Sequence, residues 1–539
     1  MQWIRDSARV RPADAAWAFA LRAGLAVAFP LVTLTLAGHP SRSGIATFGS
    51  FAALYARDAH YRSRGRVVAA AGLGLVACVV LGTLVSLSPS PALPAVVAVS
   101  LVGAAATWLA GVFRVGPPAG LMFAFATAVA AAVPARPADV ARNAALTAAA
   151  AAVAWVIAMA GAAVDRDGPR RLAVARALRR VAAARGVPES PAGLRLRHQA
   201  ATAVARAWDA LPAGHPLEPL VARAESALAA TGAEGLERDR DELMRLAGAV
   251  PRRGPVPTLR GTASESAEIT GRHQAAGLAG PPYRDLLRRS VRSTSLGGPL
   301  LVAAARVAAG ALVAGALAGS VAHATGMGHA YWASVSAVAV LQGANLLISL
   351  HRGVQRAAGT VAGLLVAVAA VAAPGGTWTL VAGIIVAQVA AELLVIRNYG
   401  LAMVAVTPLA LLVGEMGHPG PPAELLRDRL VQTVLGCVLG LLGAVAVRTR
   451  TATRHLEAAI AACTATTARL GAADHAEQAA LAPRLARELT VLREAYDVAA
   501  GEPGLPPGAT QRVLDAERRG RLALARLPVS PAAPSPGPA

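Results

Sequence analysis

The sequence predicts an all-α, polytopic membrane protein: two tandem repeats of about six transmembrane helices, each followed by a cytoplasmic helical domain. Three observations carry that expectation. Of 539 residues, 55% are hydrophobic and only 15% are charged, whereas a soluble surface of this size needs far more charge. Apolar runs of roughly 20 residues, the length that crosses ~30 Å of hydrocarbon, recur in two sets. After each set comes a stretch rich in arginine and of mixed sign, which reads as solvated helix.

The first set occupies 17–37, 43–56, 67–87, 94–113, 118–134 and 143–164. Its second and fifth runs are short, so tilted, broken or partly re-entrant segments are expected there. The second set occupies 299–321, 331–350, 357–373, 377–396, 399–414 and 430–447. The expected organisation is a first transmembrane domain over 1–164 and a cytoplasmic helical domain over 165–294. A second transmembrane domain over 295–448 and a C-terminal cytoplasmic helical domain over 449–527 follow, ending in a disordered Pro-rich tail over 528–539. In the last helical domain, Leu485, Leu489, Leu492 and Tyr496 form one apolar stripe.

Arginine placement sets the orientation. Arg57, Arg62, Arg64, Arg66, Arg114, the segment 351–356 and Arg397 fall in loops on one side, whereas loops 88–93 and 374–376 on the other side carry none. The positive-inside rule then places both termini and both polar domains in the cytoplasm of a multi-pass cell-membrane protein. Arg5, Arg9 and Arg11 precede the first run, which no clear cleavage motif follows, so it reads as a retained span.

Composition also excludes function classes. The net charge is +21, yet every basic residue is arginine and there is no lysine. A P-loop and Schiff-base chemistry both need lysine, so ATP hydrolysis by this chain is not expected. The charge fits Arg-rich cytoplasmic segments better than a nucleic-acid surface. Cys78, Cys437 and Cys463 lie far apart and read as small buried hydrophobes. His39, His329 and His418 have no ligand spacing, and no nucleophile–base pair is evident. No metal, cofactor or enzymatic activity is expected.

Self-comparison supports the repeat. Gly38-His39 matches Gly328-His329, Arg62 matches Arg352 and Arg66 matches Arg356, all 290 residues apart. Pro137-Ala-Asp-Val-Ala-Arg142 also aligns with Pro422-Ala-Glu-Leu-Leu-Arg427. Six spans is an even number, so the halves share an orientation and a pathway would lie where they meet.

Polar groups in lipid are costly and mark candidate pathways. Arg306 and Arg22 either present positive charge to an anion or snorkel to the interface. Glu392, with Gln388 one turn earlier, either carries a coupling proton or pairs with Arg397 or Arg306. Gln342 and Asn345, placed mid-span, either bind substrate or bond between helices. Tyr331-Trp332 reads as an aromatic-belt anchor, and Gly359, Gly363, Gly436 and Gly440 as faces for tight helix contact.

Four stretches together resemble a known family: Gly328-His-Ala-Tyr-Trp332, Arg356-Ala-Ala-Gly-Thr-Val-Ala-Gly363, Arg397-Asn-Tyr399 with Thr407-Pro408, and Arg429 with Thr433 and Gly436. They are similar to the fusaric-acid-resistance-like integral membrane transporters, a family grouped with aromatic acid exporters and related to aluminium-activated malate channels. The resemblance implies export of organic, often aromatic, carboxylates. It adds Arg356, Arg397, Asn398 and Tyr399 to Arg306, Gln342, Asn345 and Glu392 as substrate-pathway candidates. The first half departs from the motifs, with Ser41-Arg42 for Tyr-Trp and Val115-Gly116 for Asn398-Tyr399.

The expected function is therefore a membrane permease for small organic anions, moving them outward without ATP hydrolysis. Its partners would be the lipid bilayer, the anion and further copies of itself. A passive anion channel and a membrane-anchored scaffold with basic cytoplasmic domains are the alternatives.

Overall fold

A computed structural model of the chain describes residues 17–113, 115–187, 191–212, 214–229, 236–251, 257, 259, 269, 299–328, 330–343, 345–372, 376–417, 422–446, 451–502 and 504–525. Arg5, Arg9, Arg11, Arg114, His329, His418 and the 528–539 tail lie outside the described residues.

Every regular element among those residues is helical. The chain begins with α1 (Trp17–Leu36), α2 (Pro40–Ser50), α3 (Tyr61–Ser86), α4 (Ala92–Val112), α5 (Leu121–Ala132) and α6 (Pro137–Val164). Four polar helices follow: α7 (Gly168–Ala184), α8 (Pro191–Ala210), α9 (Glu218–Ala229) and α10 (Leu236–Ala249). The second apolar set is α11 (Pro299–Thr325), α12 (Tyr331–Leu341), α13 (Leu346–Ala372), α14 (Thr377–Val395), α15 (Tyr399–Gly417) and α16 (Pro422–Ala446). The chain closes with α17 (Thr451–Ala472), α18 (His475–Ala499) and α19 (Ala509–Ala525).

Packing separates two units: α1–α6 with α11–α16 in one, and α7–α10 with α17–α19 in the other. In the apolar unit, eight helices among the described residues are long and apolar enough to cross a membrane. Large apolar side chains face outward from them, such as Leu73 and Leu365 at 74% and 71% exposure, which is favourable only against lipid. The chain is a multi-pass membrane protein.

About six apolar runs per set were expected, the second and fifth of the first set short enough to be broken or re-entrant, and the shorter helices include α2 and α5 at those two places. At 1.5 Å per residue, the 11-residue α2 and α12 reach only ~16 Å, about half the hydrocarbon depth. A 3₁₀ turn, Phe51–Leu54, continues α2. The run expected to be continuous over 331–350 is instead broken after Leu341. Its break contains Gly343, and the Asn345 side chain accepts the Ile348 N–H at 2.9 Å, so a new helix is capped and started there.

Helix partners in the apolar unit fall into matching pairs. Within the sets, α3 packs on α5 and α6 as α13 packs on α15 and α16, and α2 packs on α6 as α12 does on α16. Between the sets, α1 lies against α14 and α11 against α4, while α2 meets α15 and α12 meets α5.

The polar unit is held by amphipathic faces. In α10 the charged run from Glu237 to Glu242 is followed by Leu243, Leu246 and Ala247, which are buried with Val174, Leu178 and Leu220. Arg223 bridges Asp239 at 2.8 Å and Glu242 at 2.7 Å, and Arg185 also reaches Asp239 at 2.9 Å. The stripe on α18 is as read: Leu485 and Leu492 are buried, with Leu489 and Tyr496 packed against the same core.

Candidate anion site

Glycine brings four helices of the second set close enough to form a site. A Cβ at Gly359 would collide with the Gly400 carbonyl, and one at Gly363 would fall 2.7 Å from Thr407, so α13 and α15 touch along parallel tracks. On the other side, Gly436 of α16 admits the Ala333 backbone of α12, and Gly440 lies against Ala337. These are the tight contacts expected of the small-residue faces. Gly353 of α13 faces the Leu441 side chain of α16.

Arg356 and Arg429 are only 3% and 2% exposed. Arg356 Nη1 donates to Tyr399 Oη at 3.1 Å and touches Met403 Sδ at 3.4 Å. The Arg429 guanidinium lies 3.4 Å over the Trp332 ring. Among the described residues, neither arginine forms an ion pair with a carboxylate, and their charges act on one another. Nε of both, and Nη1 of Arg429, are buried without a hydrogen-bond partner among those residues.

The stripe between the two arginines is polar. Thr360 follows Arg356 by one turn, and Gln432 and Thr433 follow Arg429 on the same face. Gln432 Oε1 and Nε2, Thr433 Oγ1, Thr407 Oγ1 and Ser336 Oγ are buried with no partner among the described residues. In the first set, Thr83 bonds back to Val79 O at 2.8 Å and Ser100 to Val96 O at 2.7 Å, while Thr147 reaches Ile45 O at 3.4 Å and Ser50 Oγ has no partner among the described residues. A lone arginine at the centre of a spanning helix costs about 2.5–3.5 kcal/mol on insertion scales. Two that act on one another add repulsion, and an anion near them would relieve both costs.

The other candidates take different places. Arg306 is buried on the α11 stripe of Gly310, whose Cβ would meet Leu341. Gln342 ends α12, its N–H bonding Val338 O at 3.1 Å, and Asn345 starts α13, so neither stands mid-span as expected. Asn398 caps α15, accepting from Gly400 N at 2.7 Å and Leu401 N at 3.3 Å. Arg397 Nη1 donates to Leu393 O at 2.9 Å and so closes the C-terminal end of α14. Of the eight candidates, Arg356 and Tyr399 are joined directly by a hydrogen bond.

Two expected placements change. Glu392 accepts a hydrogen bond from Gln388 at 3.0 Å, but the cations acting on it are Arg57 and Arg22, not Arg397 or Arg306. The reason is that α14 packs on α1, where Arg57 and Arg22 flank the Phe19 ring at 4.5 and 5.0 Å. Trp332 is not an interfacial belt residue: it is 7% exposed, beneath Arg429 and beside Phe125 of the first set, at a centroid distance of 5.3 Å.

Sequence reading left Arg429, Gln432 and Met403 out of the site. The apolar run of the final span opens at 430 and leaves Arg429 outside it, whereas the helix begins at Pro422. The signal available was the spacing Arg429, Gln432, Thr433, which gathers three polar groups on one face.

Residues 317–443, which contain α12, α13 and α15 and all but the last three residues of α16, match the fusaric acid resistance protein-like family, and the resemblance seen in the motifs holds over that segment. The chain is also similar to the uncharacterized membrane protein YvaC of Bacillus subtilis (strain 168), at 27% identity, with 93% of this chain and 84% of the relative aligned. No solved structure matches the chain.

Proposed function

We propose that this multi-pass protein, with its fusaric acid resistance-like segment, is a permease that exports organic carboxylate anions, aromatic acids among them, without hydrolysing ATP. The buried Arg356–Arg429 pair carries the reading: two desolvated cations share a polar stripe and have no protein carboxylate to neutralise them. Bidentate N–H donors suit a carboxylate, and the Tyr399 hydroxyl and Gln432 amide can hydrogen-bond the rest of a small acid.

The two sets of six helices are, in this reading, copies of one unit. Exchanging the sets maps α1·α14 onto α11·α4 and α2·α15 onto α12·α5, which supports a two-fold arrangement about the membrane normal. Both termini and the polar unit lie on the cytoplasmic side, on the arginine bias of the loops.

The test is efflux of labelled benzoate from preloaded cells or vesicles. Arg356→Gln and Arg429→Gln should each lower the rate roughly 10–100-fold, since a hydrogen bond to a charged group contributes about 1.5–3 kcal/mol. Membrane insertion should be unchanged. Wild-type efflux by both variants would remove the pair from the path. Measuring flux against a proton gradient at fixed potential separates a coupled exporter from a passive channel, and Glu392→Gln identifies the acid involved.

A further inference from the structure

We propose that each chain has one anion site, among α12, α13, α15 and α16, and that the matching position among α2, α3, α5 and α6 is filled and binds no anion. This rests on the anion-export reading above.

Contacts identify the position matching Arg356, and the aligned stretches at Pro137 and Pro422 identify the one matching Arg429. Gly353 of α13 faces Leu441 of α16, and Gly65 of α3 faces Met159 and Trp155 of α6. One turn past each glycine stands Arg356 in the second set and Val68, wholly buried, in the first. Arg66, the partner of Arg356 at a spacing of 290, is exposed and cannot take its role. The aligned stretches at Pro137 and Pro422 put Ala144 where Arg429 stands. Both cations of the site are therefore missing from the first set.

Apolar groups occupy that region instead. Phe48 packs edge-on against Phe51 at 5.8 Å and Phe125 at 5.2 Å, and Tyr55 lies 5.5 Å from Phe123. The Tyr55 hydroxyl is satisfied by Ala119 O at 2.7 Å. Val68, Ala71 and Leu75 complete a continuous core with these rings. Thr127 bonds Phe123 O, and Asn143 bonds Thr83, so these polar groups already have partners. The buried arginine of α3, Arg64, lies one turn before Val68 and is engaged by Arg57 O at 3.4 Å and the Tyr61 ring at 4.8 Å, so an anion deeper in this set would have to displace packed rings.

Native cysteines report on the two sets. Cys437 lies on α16 one turn past Thr433 of the polar stripe, whereas Cys78 lies in the first-set core. The experiment uses full-length protein in membranes, with Cys463→Ala to remove the third thiol. Anionic methanethiosulfonate-ethylsulfonate should label Cys437 at least 10-fold faster than Cys78, as read by peptide mass spectrometry. Benzoate should slow Cys437 labelling, and equilibrium dialysis of labelled benzoate should saturate at one per chain. Equal labelling of the two cysteines, or two benzoates per chain, overturns the single site and leaves anion export standing. No saturable benzoate binding, with no labelling of Cys437, overturns both.

Discussion

Arg429 stands two turns inside α16, stacked on an indole and lacking a counter-charge among the described residues. A residue kept for stability is not expected to look like this, because the stacking, about 2 kcal/mol when desolvated, only offsets the ~2.5–3.5 kcal/mol of burying the charge. Arg429→Gln should accordingly leave the melting temperature in detergent unchanged or higher while export falls. A drop of several degrees would assign the guanidinium to the scaffold. The polar unit offers the opposite kind of charge. Burial pushes the Asp239 carboxyl up, but Arg223 and Arg185 outweigh it and hold it below its usual value. At Asp167 the Arg170 hydrogen bond acts first, in the same downward direction. Depressed carboxyls contribute stability that is full above about pH 4 and is lost as pH falls through the folded-state values. Thermal melts of the whole protein should therefore weaken below about pH 4, and Asp239→Asn should flatten that dependence. Arg356 and Tyr399 were legible in sequence because motif and burial coincide there. Arg429 stands in the motifs too but was not placed in the pathway, since hydropathy ends a span at the first charge and cannot tell a terminus from a charge buried against an aromatic ring.

At the scale of elements, caps and glycines decide what the helices can do. Asn345 and Asn398 sit at equivalent jobs, each accepting N–H groups of the turn it starts. Replacing either with alanine should cost about 1 kcal/mol of stability, with export per folded molecule preserved. Thermal melting paired with flux normalised to folded protein separates that outcome from a direct role in substrate binding. Gly436→Val is a harsher change, since even a Cβ collides with the Ala333 backbone. Pushing α12 from α16 should cost about 1–3 kcal/mol and abolish export, because Trp332 and Arg429 face one another across that contact. The long apolar helices were readable from length and composition. The broken run at 331–350 was not: Gln342, Gly343 and Asn345 are polar or small enough to end a helix, but surrounding Val and Leu keep the average hydrophobic.

Over the whole molecule, the two apolar sets form one packed body, although 134 residues separate Val164 from Pro299. The number of helices and their grouping could be foreseen, because hydrophobic length is a local property. Which helix meets which could not, since glycine faces look alike until the register is known. The pairing of α1 with α14, and of α4 with α11, also orders events during synthesis. When α4 enters the bilayer, its partner has not been made, and at roughly 5–20 residues per second α11 follows only after roughly 10–40 s. Until then α1 and α4 hold apolar faces to lipid, and the ribosome-bound first half is an open assembly that the later helices must find and close.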